Sequence, residues 1–233
     1  MSRPLDGKIA VVTGSSRGIG RGTAIALGEL GATVYVTGRT TGSGDLSIDT
    51  TVKMVEDAGG KGVAVQVDHG DDAQIAGLFD RVRADVGRID VLVNNAGVFF
   101  SHPVDETSYE EWQRAWEETI AVNLTGPANV TWCAVRHMGR GGRVINIGSR
   151  GAFRGAPHSP AYGATKAGIA AFGQSLAKYL GSRGIAVTTI APGFVDTEMA
   201  TEAMEGEGGE IRRAESPFGR IATAEEIAAA VVY

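Results

Sequence analysis

Tyr162 and Lys166 stand four residues apart in the run SPAYGATK, and that spacing sets the first chemical question. If Pro160 starts a helix, both side chains leave one face on neighbouring turns. A free phenol titrates near ~10, so at neutral pH only about one molecule in a thousand is phenolate, a poor proton-transfer group. An ammonium at ~4 Å, with an effective dielectric of ~20, favours phenolate by roughly 4 kcal/mol, or about three pKa units. The expectation is a phenol brought close to working pH. Ser149 follows the apolar run RVINIG, residues 143–148, where a parallel α/β sheet opens its binding crevice. Its hydroxyl can hold a substrate oxygen beside the phenol. A Tyr and a Lys at this spacing also occur with the lysine stem merely lying along the ring, so the surrounding elements must decide.

Residues 8–13, KIAVVT, form a short apolar run that turns directly into glycines, the pattern of a buried parallel strand entering a βα turn. The turn carries Gly14, Ser16, Arg17, Gly18, Ile19 and Gly20, and leads into a helical segment, RGTAIALGELG, and a second strand, TVYVTG, at 33–38. Such a βαβ unit offers helix N-terminal amides to a pyrophosphate. The spacing is G-x-x-x-G-x-G, a turn one residue longer than G-x-G-x-x-G. Beyond the second strand, a ribose 2′-hydroxyl calls for an acid and a 2′-phosphate for an arginine. Arg39 stands there, no acid precedes Asp45, and Arg17 adds a second guanidinium suited to phosphate. The expected cofactor is NADP(H); the competing reading leaves both arginines as solvated loop residues.

Residues 40–47 are polar and read as a surface loop before a helix at 48–58. The strand GVAVQVD, 62–68, ends at Asp68, either an acceptor for an adenine amino group or, like Asp71, a cap for the helix at 72–86. A fourth strand, IDVLVNNAG, brings Asn94, Asn95, Ala96 and Gly97 to the crevice, where they pass close to a ribose or simply make a turn. From Thr107 the chain reads as helix, with Trp112, Trp116, Ile120 and Leu124 at helical spacing as core and subunit interface. Asn123 inside that helix can open a backbone bond and hold a water. The fifth strand spans 144–148 and the sixth 186–191. After it, Pro192, Val195 and Thr197 lie where a nicotinamide carboxamide would sit. Residues 198–217 have little periodicity and read as a mobile lid or a solvated loop, before a last helix from about Ala224. Alternating βα units without a linker predict one domain over 1–233, of α/β class, with a single doubly wound parallel sheet flanked by helices on both faces.

Composition removes other classes. A net charge of −5 is the wrong sign for a nucleic-acid surface. The single cysteine, Cys133, excludes an internal disulfide and suits a reducing compartment. No apolar leader opens the chain and no 18-residue apolar run occurs, so a soluble, cytoplasmic protein without membrane contact is expected. The 34 glycines, about twice the usual share, require tight turns or close backbone approach to a ligand. His69, His102, His137 and His158 show no ligand spacing and read as satisfied surface groups, so no metal centre is expected. His158, just before the Tyr162 helix, is a candidate to face substrate.

With these pieces in place, the whole chain resembles the short-chain dehydrogenase/reductase family. The resemblance rests on the TGSSRGIG turn, Asp68, Asn94 to Gly97, Asn123, Ser149, the Tyr162-x-x-x-Lys166 pair, and Pro192-Gly193 leading to Thr197. It implies that Tyr162 is the acid for a carbonyl oxygen as hydride arrives, or the base in reverse. Lys166 would lower its pKa and bind the nicotinamide ribose, Ser149 would hold the substrate oxygen, and Asn123 would order a water in a proton relay. Gly14, Ser16, Arg17, Ile19, Arg39, Asp68, Asn95 and Val195 would line the cofactor.

Within the family the sequence is most similar to 3-oxoacyl-carrier-protein reductases. Arg136, Arg140, Arg143 and Arg183 are then candidates for docking an acidic carrier, or else they complement helix C-termini. A sugar, steroid or xenobiotic ketone is an alternative substrate, and a non-catalytic dinucleotide sensor an alternative of another class. The resemblance also implies a homo-oligomer, dimer or tetramer, and a further strand and tail beyond Tyr233. It leaves insertions at 40–47 and near Glu117 to Thr119 without a role.

Overall fold

The structure, a computed structural model, describes residues 3–201 and 206–233. Strands and helices alternate: β1 (Ile9–Val12), α1 (Gly18–Glu29), β2 (Thr33–Gly38), α2 (Ile48–Asp57), β3 (Lys61–Gln66), α3 (Asp72–Asp85), β4 (Val91–Asn94) and α4 (Tyr109–Ile120). Then follow α5 (Gly126–Ala134), β5 (Arg143–Ile147), α6 (Gly151–Arg154), α7 (Pro160–Leu180), β6 (Ala186–Ile190), α8 (Gly206–Ala214) and α9 (Ala224–Val232). Among the described residues one six-stranded sheet runs β3-β2-β1-β4-β5-β6, with every pairing parallel. The order reverses between β1 and β4, and ligands of such sheets bind at that switch, beyond the carboxyl ends of the strands.

The continuous apolar runs are explained by burial on both faces. Ile9 and Val11 pack with Leu78, Val82, Val130 and Leu180, on the side of α3, α5 and α7. Ala10 and Val12, pointing the other way, pack with Ala24, Leu27, Ile48 and Val55 from α1 and α2. Each fully buried aliphatic side chain contributes about 1.5–3 kcal/mol, so the two clusters hold the crevice edge in place. No helix among the described residues is long and apolar enough to cross a membrane.

Two elements depart from expectation. The stretch 198–217 is not without order: α8 lies inside it, while residues 202–205 are outside the described residues. The α4 stripe is not core: Trp112, Trp116 and Leu124 are half-buried and Ile120 is exposed, while the buried positions are Ala115 and Thr119. The residues from Glu117 to Thr119 continue α4 without interruption, and the wider π-helical turn that takes up an extra residue is Ala121–Thr125, just downstream.

Candidate active site

The turns after β1 and β4 are tied to each other before any ligand is considered. Thr13 Oγ1 accepts from the amides of Asn95 and Ala96 at 2.9 and 3.0 Å, and Asn95 Nδ2 donates to the carbonyls of Thr13 and Gly14, both at 2.9 Å. Gly14 and Gly18 have φ of 63° and 53°, left-handed values that disfavour a side chain. A Cβ on Gly14 would also sit 2.7 Å from Ala96 Cα. Gly20 is set back from the crevice, where a Cβ would collide with the Gly14 carbonyl and the Asn95 amide. It lets α1 approach the turn and does not line the cavity.

A cleft of about 790 Å³ opens over this edge. Its wall includes Gly14, Ser16, Arg17, Gly18, Ile19, Arg39, Asp68, Asn95, Ala96, Gly97, Ser149, Tyr162, Lys166, Pro192, Val195 and Thr197. The predicted residues therefore converge on one surface, with Gly20 and Asn123 behind it. Asn123 is buried and clamps Val98 from both sides: Oδ1 accepts from Val98 N at 2.8 Å and Nδ2 donates to Val98 O at 2.9 Å. It sits at the centre of the π-helical turn, so the expected opening of the backbone ladder is present.

Pro160 occupies the first turn of α7, so Tyr162 and Lys166 do project from one helix face. Lys166 is buried and its Nζ donates to the carbonyl of Ile147, at the end of β5, at 2.9 Å. The Nζ lies 5.6 Å from the centre of the Tyr162 ring. Loss of water lowers the amine to about 8. Burial pushes the Tyr162 phenol up, and the hydrogen bond from Ser149 only partly offsets this. The expected phenol drawn down by a neighbouring cation is thus reversed in this chain, because desolvation dominates at the phenol and the same desolvation weakens the cation. At neutral pH Tyr162 stands as the protonated acid. Phe99 closes the site edge-on to the Tyr162 ring, with ring centres 5.3 Å apart.

At the other end, Asp71 caps α3 through the amides of Ala73 and Gln74, which frees Asp68 from that role. Asp68 instead accepts from Gly70 N and lies 4.0 Å from the Arg39 guanidinium. Arg39 is two-thirds exposed and Arg17 is exposed, so both have donors to offer an anion. These arginines, the glycine turn from Gly14 to Gly18 and the α1 N-terminus fit a phosphorylated dinucleotide, while Thr197 and Glu198 stand close to Gly18. The loop at 40–47 is more than decoration: Arg21 Nη2 donates to both the Ser16 and Asp45 carbonyls, pinning the loop to the glycine turn.

Several functional features were not visible beforehand. His69 and His102 are buried rather than surface groups. His69 shares a hydrogen bond with Thr37 Oγ1 at 2.8 Å, and burial lowers it to about 4. The His102 ring Nε2 accepts from Ala161 N at 3.2 Å and its Nδ1 meets the Phe100 carbonyl at 2.8 Å, which requires the tautomer protonated on Nδ1. Its own amide donates to His158 O at 2.8 Å. His102 thereby serves α7 as a cap, a role the Ser159 side chain leaves unfilled. No local pattern around His102 marks it, because its partner lies 59 residues away. His158 lines the cleft.

The arginines considered for carrier docking lie outside the cleft wall. Arg143 begins β5, whereas the cleft lies beyond Ile147, and none of the four lines it. Arg183 donates to the Val135 and Met138 carbonyls after α5, Arg136 stacks on Trp132, and Arg143 binds the Gly141 and Gly142 carbonyls. Arg140 packs against the Gly184 turn. Arg183 shows the helix-end role outright.

A parallel sheet reversing at a glycine turn, with a phenol and a buried amine beside it, defines a dinucleotide-binding α/β protein of the oxidoreductase type. The chain belongs to the short chain dehydrogenase family, whose model matches residues 8–208. It is 38% identical to the 3-oxoacyl-[acyl-carrier-protein] reductase of Escherichia coli K12, over 98% of this chain and 89% of that protein. A dehydrogenase/reductase from Sinorhizobium meliloti 1021 superposes with a TM-score of 0.89 at 36% identity, covering 99% of this chain and 88% of that one. A short chain dehydrogenase from Burkholderia cenocepacia J2315, solved in complex with NADP, superposes with a TM-score of 0.86 at 34% identity over 98% and 90%.

Proposed function

We propose that the protein is an NADP(H)-dependent reductase that interconverts a carbonyl and a secondary alcohol. The observation that carries this reading is a single cleft wall holding Ser149, Tyr162 and Lys166 together with the glycine turn and Arg39. The cofactor supplies the hydride when bound. Ser149 holds the substrate oxygen against Tyr162. As the carbonyl carbon gains the hydride, Tyr162 gives its proton to that oxygen, and the product leaves as an alcohol with the cofactor oxidised. Lys166 replaces the phenol's proton, and Asn123, fixed by Val98, shapes the turn through which a relay water would pass. In the reverse direction the phenol must first lose its proton to act as the base, and burial, which raises it, opposes that ionisation.

Arg39 and Arg17 choose the phosphorylated cofactor in this reading. The relative from Escherichia coli supports a 3-oxoacyl thioester on a carrier as one substrate, but the arginines first considered for docking do not face the cleft. The half-exposed α4 stripe supports a homo-oligomer, either dimer or tetramer. The test is NADPH consumption against a panel of ketones, with NADH in parallel. Reduction is expected with NADPH, and Arg39→Asp is expected to weaken NADPH by about tenfold or more while sparing NADH. Equal losses for both cofactors would remove the phosphate assignment.

A further inference from the structure

The end of the cleft beyond Ser149 is lined by Arg150, Arg154, Arg212 and Glu215. The other acids on the wall lie toward the glycine turn: Asp68 beside Arg39, and Glu198 beside Gly18. Glu215 accepts from Arg150 Nη2 at 2.5 Å and lies 3.7 Å from Arg154 Nη1. Arg150 and Arg212 stack over Phe194, at 4.7 and 4.9 Å from the ring centre. Arg212 Nη1 donates to the Gly208 carbonyl, while its buried Nε has no partner among the described residues. Among the described residues, three guanidinium groups therefore face one carboxylate at this end of the cleft, an excess of two positive charges.

Such an excess inside a concave wall focuses a positive potential and attracts an anion. Arginine is the side chain that matches the fork of a carboxylate or phosphate. Arg150 directly follows Ser149 and both line the same cleft, so an anion held there shares the cavity with the carbonyl being reduced.

We propose that the substrate is a small anionic carbonyl compound, with a carboxylate or phosphate near its ketone. That group docks on Arg150, Arg154 and Arg212, and Glu215 is the built-in counter-charge that it displaces. This inference rests on the carbonyl-reductase reading and narrows it.

The test uses the intact protein and NADPH with two matched pairs, 4-oxopentanoate against its methyl ester and dihydroxyacetone phosphate against dihydroxyacetone. The anionic member of at least one pair is expected to have a kcat/KM about tenfold higher, with the preference shrinking as salt rises. A preference confined to one pair identifies the anion as carboxylate or phosphate. Arg154→Gln should cut the preference about fivefold, Arg154→Lys should retain most of it, and Glu215→Gln should raise it. No preference in either pair, or a preference that falls in Glu215→Gln, overturns the inference. If neutral ketones are reduced well and neither anion is favoured, the reductase reading stands and only this inference fails. If none of the ketones supports NADPH consumption, the reading itself fails and takes the inference with it.

Discussion

On the side of β1 to β3 the cleft wall is mostly main chain: a glycine turn, the amides of Asn95 and Ala96 held by Thr13, and the start of α1. On the side of β5, β6 and α8 it is mostly side chains, brought together from residues as far apart as Arg150 and Glu215. The first half is built to accept a ligand whose phosphates bind backbone. The second presents charge, aromatic edges and a protonated phenol, and these can vary while the sheet stays the same. The family resemblance runs through both halves, the glycine turn in one and Ser149, Tyr162 and Lys166 in the other.

If the main-chain half is as rigid as its contacts imply, Gly20→Ala should be the most damaging of three structural tests. Its Cβ would meet the Gly14 carbonyl and lie 2.9 Å from Ser15 Cα, where only backbone can yield. A loss of about 3 kcal/mol in stability is expected, with NADPH affinity falling too. A wild-type melting temperature in this variant would break the contrast between the halves.

The side-chain half makes a subtler prediction through Lys166. Its folded value of about 8 lies below the ordinary 10.5, so between these pH values the unfolded chain binds more protons and this group makes stability rise with pH. Below pH 8 the buried ammonium costs about 3 kcal/mol. Lys166→Met should therefore be inactive yet more stable than wild type at pH 7, with the gap closing toward pH 10.5 in denaturant titrations. A gap independent of pH would show that the amine is not desolvated. The smallest effect belongs to His102→Ala, which strips α7 of its cap and should cost about 2 kcal/mol. With it, kcat should fall more than KM rises, because Tyr162 follows the capped amide of Ala161 directly. Proportional changes in both would leave His102 a purely structural group.

The same contrast sets how much was legible in the sequence. The strand positions, the glycine turn and the Tyr162 to Lys166 face follow from local patterns, since buried parallel strands and helix spacing leave period and punctuation behind. β2 lies at the residues read for it. The Asp68 question was open because a carboxylate before a helix caps or binds equally well, and the Asp71 hydrogen bonds remove the cap. The phenol's direction of shift was misread because spacing shows that a cation is near but not how much water both groups lose. The carrier arginines stayed open because a docking surface leaves no local pattern, and only the structure shows that none of the four lines the cleft.

The account turns on Tyr162 as the proton donor, and the most direct measurement pairs turnover with cofactor binding in Tyr162→Phe. The phenylalanine keeps the ring against Phe99 and removes only the hydroxyl. We predict a fall in kcat/KM of at least about a hundredfold, with NADPH binding, read by fluorescence, nearly unchanged. Near-normal reduction of the same ketone by the Phe variant would contradict the mechanism.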